Sequence, residues 1–289
     1  MSLKKTIQIK TIDGHTMAVD LFLPEMAPIG EKIPVSVFCH GFKGFKDWGF
    51  IPHLHDYLVT EKRALITFNH SHNGVDKTDF DQLKMFAHNS VGQELRDLES
   101  VARWIASEEG EGYHLHPEKI DWIGHSRGGG NVLVFSHLFP DWVRSMVIWA
   151  AIDDYEHLFK SISIEQWKKD QRVFIHNART KQEMPLDISM LNEYEQNKSR
   201  YSILEAARKT DKPLLVIHGT ADESVPYSAA ENIANACQHA VLLPVQDQSH
   251  TFGVQHPLEH LGKAPIDFWD VLENTKEFLE DSLEDYYLD

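Results

Sequence analysis

The chain has 289 residues, of which 42% are hydrophobic and 25% charged, and its formal net charge is -16. A chain of this length and composition can bury a sizeable core without disulfides or metals. The acidic balance argues against a nucleic-acid-binding surface, which needs a basic footprint, and against attraction to anionic lipid; it favours solubility.

In chain order, residues 4–10 read as a strand, Asp13-Gly14 as a turn and residues 15–23 as its hairpin partner. Pro24 to Pro34 reads as a loop. Val35 to Cys39 is a short β-rich run that ends at His40-Gly41. Residues 50–61 look helical, and Ala64 to Phe68 is a second apolar strand. Apolar side chains at Val91, Leu95, Leu98, Val101, Ala102 and Ile105 follow the 3.6-residue helical period, which predicts an amphipathic helix over 91–107. Ile120 to Ile123 is a strand, Arg127 to Phe139 a helix closed by Pro140, and Met146 to Ala151 a strand. Pro213 to Ile217 is a strand, Tyr227 to Cys237 a helix, Ala240 to Leu243 a strand and Phe268 to Leu283 a closing helix. The acidic end (Glu277, Glu280, Asp281, Glu284, Asp285) reads as a solvated helix face with a frayed tail.

Strands alternating with helices give an α/β fold with a mostly parallel central sheet flanked by helices. Its central strands are continuous apolar runs, as burial on both faces requires. Asp153 to Lys212 breaks the alternation. A plain loop of that length is improbable in a compact domain. Within it, 172–176 and 182–186 could pair across 177–180. The segment reads as a cap subdomain, 153–212, inserted after the sixth strand into a core of 1–152 and 213–289. That places it over the sheet edge where ligands bind in open α/β folds. Its aromatic residues Trp167, Phe174, Tyr194 and Tyr201 serve as local core or touch ligand.

Gly124-His125-Ser126-Arg127-Gly128 matches G-x-S-x-G between a strand and a helix, the context in which a strained turn lifts a serine clear of the sheet. A serine hydroxyl attacks only when a base takes its proton. The chain order Ser, acid, His then selects Asp222, on the loop after the 213–217 strand, and His250, the first histidine after the last strand. Glu223 is the rival acid, with Asp247 able to assist, and His256 and His260 are alternative bases. Asp222 could instead form an Asx-turn or cap a helix. Two backbone amides are needed for the oxyanion, and Phe42 and Arg127 occupy the positions that supply them. Gly41, Phe42, His125 and Asp153 are the candidate substrate contacts, although Asp153 and Asp154 could simply cap a helix.

On the segments His40-Gly41-Phe42-Lys43-Gly44, Gly124 to Gly129, His218 to Pro226 and Ser249-His250, the sequence resembles the α/β-hydrolase superfamily over nearly its whole length. Within it, the chain looks like the serine-dependent branch near dienelactone-hydrolase-like and cinnamoyl (feruloyl) esterase-like proteins. The resemblance implies carboxylester hydrolysis with no cofactor and an insertion that contacts the alcohol or aryl part of the substrate. Dienelactone hydrolases proper use a cysteine nucleophile where this chain has Ser126. A peptidase, thioesterase or acyltransferase would use the same three residues, and a ligand-binding protein could keep the fold without the chemistry.

Other features carry less. The His-x-His pairs at 53/55, 70/72 and 114/116 lack the third and fourth ligands a metal site needs, so no metal is expected. Residues 69–74 follow a strand at the active edge and either shape the pocket or pack the loop. Cys39 and Cys237 read as free core residues. The N-terminus has no continuous apolar stretch of signal-peptide type, and no run approaches the roughly 20 residues of a membrane span. The expected setting is therefore cytoplasmic, with a small-molecule ester substrate, no nucleic acid or membrane partner, and room for a homodimer.

Overall fold

A computed structural model describes residues 2–25, 30–60, 62–160 and 162–284. The expected loop at Pro24 to Pro34 and the helix at 50–61 fall partly outside these residues, and Asp285 of the acidic tail lies outside them.

The N-terminal hairpin forms as expected: β1 (Ser2–Lys10) pairs antiparallel with β2 (Thr16–Pro24) across the Asp13-Gly14 turn. It is followed by β3 (Ile33–Cys39), α1 (His55–Leu58), β4 (Ala64–Phe68), α2 (Leu83–Ala87), α3 (Val91–Ile105) and α4 (Glu108–Gly112). Next come β5 (Leu115–His125), α5 (Arg127–Leu138) and β6 (Ser145–Trp149). Between β6 and the next strand of the large sheet lie α6 (Ile164–Asp170), β7 (Arg172–Asn177), β8 (Gln182–Asp187), α7 (Ile188–Asn197) and α8 (Ile203–Lys209). The chain then completes β9 (Leu214–Gly219), α9 (Ser228–Ala236), β10 (Ala240–Val245) and α10 (Ile266–Glu284).

Eight strands form one sheet in the order β1-β2-β4-β3-β5-β6-β9-β10. Every pair from β4 to β10 is parallel, and β2 joins β4 antiparallel. This is the expected α/β-hydrolase architecture. Alternation along the strands assigns side chains to its two faces. Val35, Val37, Trp122, Met146 and Ile148 pack on one core, while Phe38, Ile123, Val147 and Trp149 pack on the other. The first face is covered by α3, α5, α8 and α9, and α10 covers the second.

Several boundaries differ from expectation for local reasons. The helix expected at 50–61 is one 3-10 turn, Ile51–His53, followed by α1 alone, because Thr60 and Arg63 form a bridge that stops it. Helix α3 ends at Ile105 because the Ser107 hydroxyl accepts from the Gly110 amide (3.3 Å) and starts α4. Strand β5 begins at Leu115, where Leu115 pairs with Ile33 before a register shift.

The 172–186 ribbon forms in register, with Ile175 opposite Met184. Trp167 donates from Nε1 to the Leu186 carbonyl (3.1 Å), and Phe159, Trp167 and Tyr194 pack as a small aromatic core. Helix α8 belongs with the main helical layer: Ile203, Ala206 and Ala207 are buried, and α8 packs on α5 and α9. No helix among the described residues is long and apolar enough to cross a membrane.

Candidate active site

Ser126 sits between β5 and α5 with φ 58° and ψ −123°, the strained turn its motif requires. The turn is tight enough to exclude side chains beside it. A Cβ on Gly128 would lie 2.3 Å from the Cys39 carbonyl oxygen, and one on Gly41 would lie 2.9 Å from the Ser126 Cβ. The loop after β3 and the serine turn are thus in direct contact.

Asp222 emerges from the loop after β9. Its Oδ1 accepts from the amides of Ser224 (2.8 Å) and Val225 (2.9 Å), an Asx-type turn that fixes the carboxylate. Its Oδ2 faces His250 Nδ1 at 2.7 Å, and His218 Nε2 lies 3.2 Å away. Burial alone would push the Asp222 carboxyl up. The hydrogen bonds from His218 and His250, with that of the Val225 amide, outweigh it and hold the group well below the usual carboxylate range. An ionised carboxylate can only accept, so Nδ1 of His250 carries the proton and Nε2 is left as the basic nitrogen.

Three further histidines brace this arrangement, and none was singled out in the sequence for that work. His125 Nε2 donates to the His250 carbonyl (2.9 Å). Burial, with His250 beside it, pulls His125 down to about 3, so it stays neutral. His218 is fully buried, and its Nε2–H is shared between Asp222 Oδ2 and the Val225 carbonyl (3.0 Å). His40 donates from Nδ1 to the Gly41 carbonyl (2.9 Å), and the Gly44 amide donates to the same oxygen (2.9 Å). The C=O and N–H of one trans peptide point in opposite directions, so anchoring the Gly41 oxygen also fixes the direction of the Phe42 N–H. Burial, with His70 nearby, pulls His40 down to about 3. Residues followed by glycine at strand ends (His40-Gly41, His218-Gly219) were the available sequence signal for two of the three.

Ser126, His125 and His250 line one cavity of about 390 Å³, together with Gly41 and Phe42. The 172–187 ribbon contributes Asn177 and Arg179 to the same wall. Arg179 pairs with Asp79 and lies over the Phe45 ring (5.4 Å). No periodicity or motif marked it. His256 also lines the cavity, accepting from the Gly49 amide at Nδ1 (2.9 Å).

Contrary to expectation, Asp153 does not line the cavity. Its oxygens accept from His157 (2.7 Å) and Asn232 (2.8 Å) at the foot of the inserted segment. Asp154 caps the next turn, accepting from the Glu156 amide (2.9 Å). Trp167, Tyr194 and Tyr201 are buried local core, and Phe174 is exposed to solvent; none of the four lines the cavity. Glu223 is exposed, and Asp222 occupies the position facing His250. Residues 69–71 border a different cavity, of about 360 Å³, beside β2.

The model of the prolyl oligopeptidase family matches residues 78–285. The chain belongs to that family. As a member of that family, the chain is a hydrolase. No curated protein matches the sequence. Among solved structures, Est1E from Butyrivibrio proteoclasticus with ferulic acid bound is similar over 96% of this chain and 99% of its own, at 19% identity and a TM-score of 0.74. Dienelactone hydrolase from Anabaena variabilis is similar over 97% of this chain and 98% of its own, at 15% identity and a TM-score of 0.62. The acylaminoacyl peptidase of Pyrococcus horikoshii is similar over 96% of this chain and 41% of its own, at 17% identity and a TM-score of 0.65. At these identities the likeness is one of fold.

Proposed function

We propose that this hydrolase is a serine carboxylesterase that cleaves a small acyl or aromatic ester through an acyl-enzyme. The observation that carries the reading is the Asp222–His250 pair, with His250 Nε2 left free as a base, on the wall of the cavity that Ser126 also lines. His250 takes the proton from Ser126 as the hydroxyl attacks the ester carbonyl, forming a tetrahedral oxyanion between the amides of Phe42 and Arg127. Asp222 holds the imidazole tautomer and stabilises the imidazolium. His250 then protonates the departing alcohol, and water activated by the same base releases the acid. Gly41 and the Phe42 ring border the acyl group, and residues 153–212, taken as a cap, supply Asn177 and Arg179 to the wall.

The test is hydrolysis of p-nitrophenyl esters from acetate to octanoate, and of methyl ferulate, by the wild type and Ser126→Ala. Wild-type turnover that drops by several orders of magnitude in the variant is the expected result. Family membership favours one second reading, amide cleavage, and matched p-nitroanilides of the same acids separate the two. Faster turnover of the anilides than of the esters would overturn the esterase assignment, as would equal inactivity of both proteins on every ester.

A further inference from the structure

We propose that the side chain of Arg127 is a positioning residue for the oxyanion hole, a buried cation that clamps the two residues whose amides hold the oxyanion. The proposal rests on the serine-hydrolase reading above and deepens it.

Arg127 is the first residue of α5, and its side chain is 1% exposed. Its Nε lies 2.8 Å from Glu94 Oε2 as an ion pair, and none of Nε, Nη1 and Nη2 has an aligned hydrogen-bond partner among the described residues. Instead, aromatic rings approach the guanidinium: the Phe42 centroid lies 5.3 Å from Cζ and that of Tyr155 5.9 Å. The contacts close into a ring. Glu94 accepts from Asn89 (2.7 Å) and Asn131 (2.6 Å), and the Tyr155 hydroxyl donates to Asn131 Oδ1 (2.7 Å). Burial pushes the Glu94 carboxyl up, but Arg127, His70 and the two asparagines bring it below its ordinary value, so the pair is ionic.

Stability alone does not account for this group. A buried ion pair is commonly no better for folding than well-packed apolar residues of the same volume. A cation in the first turn of a helix opposes the helix dipole. What the arrangement does provide is a fixed link between Phe42 and Arg127. The Gly41 carbonyl is already pinned by His40 and Gly44, which sets the direction of the Phe42 amide. The guanidinium against the Phe42 ring sets the distance of that residue from α5. Two donors stabilise a developing oxyanion only when both are held at hydrogen-bond distance before the reaction begins.

The experiment compares wild type, Arg127→Met, Phe42→Leu and the double variant on p-nitrophenyl butyrate. It also measures inhibition by a butyryl trifluoromethyl ketone, which adds to the serine as a tetrahedral adduct, and binding of N-propylbutyramide, which does not. Arg127→Met is expected to lower kcat about 10- to 100-fold, below the loss from deleting an oxyanion donor outright. KM and amide binding should stay within about threefold. Inhibition by the ketone should weaken by the same factor as kcat. The double variant should be no slower than the slower single variant, because both changes break one clamp. A folded Arg127→Met protein with kcat and ketone inhibition within twofold of wild type would overturn the proposal, as would multiplicative losses in the double variant. Should Arg127→Met not fold, Phe42→Leu carries the test, since it removes the ring and keeps the ion pair. Because that ring also borders the acyl group, the supporting result is a loss of kcat matched by weaker ketone inhibition with amide binding unchanged, and an unchanged kcat or an equal loss of amide binding is fatal. Wild-type inactivity on all esters would instead sink the underlying function, so the two failures are distinguishable.

Discussion

The two halves of the proposed site are built by opposite means. On the proton-handling side, loops after β9 and β10 bring Asp222 and His250 together, and both Asp222 oxygens are engaged by donors. Its supports, His125 and His218, are hydrogen-bonded to backbone carbonyls. On the side proposed to hold the oxyanion, loops after β3 and β5 carry the Phe42 and Arg127 amides, and the side chain behind them is a buried cation covered by rings. Proton transfer needs particular side-chain chemistry, whereas an oxyanion hole needs only rigid N–H groups. The first half therefore tolerates almost no change of residue type. The second depends on packing and should degrade by degrees.

The largest effect expected from that contrast is at Asp222. Asp222→Asn keeps the shape but no longer enforces the tautomer with Nε2 free, so kcat should fall by roughly four orders of magnitude. A loss under tenfold would mean that His250 does not depend on this carboxylate. A smaller effect is expected one step away. His218→Leu removes a donor from Asp222, which allows the carboxyl pKa to rise and loosens the loop. A drop of about tenfold in kcat with KM unchanged, together with an acid limb of kcat/KM moved to higher pH, is the outcome that fits. A variant with a wild-type pH profile would reduce His218 to packing.

The smallest effect concerns stability rather than rate. The folded chain holds His125 near 3, against about 6.5 for an unperturbed histidine. Between those values the unfolded chain binds a proton that the folded chain refuses. This group therefore makes stability fall as pH drops from about 6.5 toward 3, and contributes nothing to the slope above that window. Urea titrations at pH 7 and pH 5 should show His125→Asn losing about 2 kcal/mol less over the interval than wild type. Equal losses would contradict the buried, neutral state of this residue.

The proton-handling side was the more legible half in the sequence. Ser126 is announced by glycines that any side chain would displace, and Asp222 and His250 by their places after successive strands. The 172–186 ribbon was legible from its two short runs flanking a polar turn. Its part in the cavity was not, because Arg179 lies on that turn and only the docking of the ribbon determines what it faces. Asp153 misled for a similar reason: its place just after β6 suggested the ligand edge, yet His157 and Asn232 claim its oxygens. Helix α8 looked like part of the insertion by sequence position, and its small buried face on α5 joins it to the main layer.

By itself, the sequence determined the alternation of strands and helices, the hairpin at the start, the strained serine turn and the order of serine, acid and histidine. These follow from local sterics and from periodicities of 2 and 3.6 residues, which a single segment carries within itself. Only the tertiary structure decided which of 18 histidines brace the site, that Arg127 lies buried between two rings, and which residues of the insertion reach the cavity. Each of those is a contact between segments far apart in the chain. Its energy depends on burial and on the distance to a partner that no local pattern encodes.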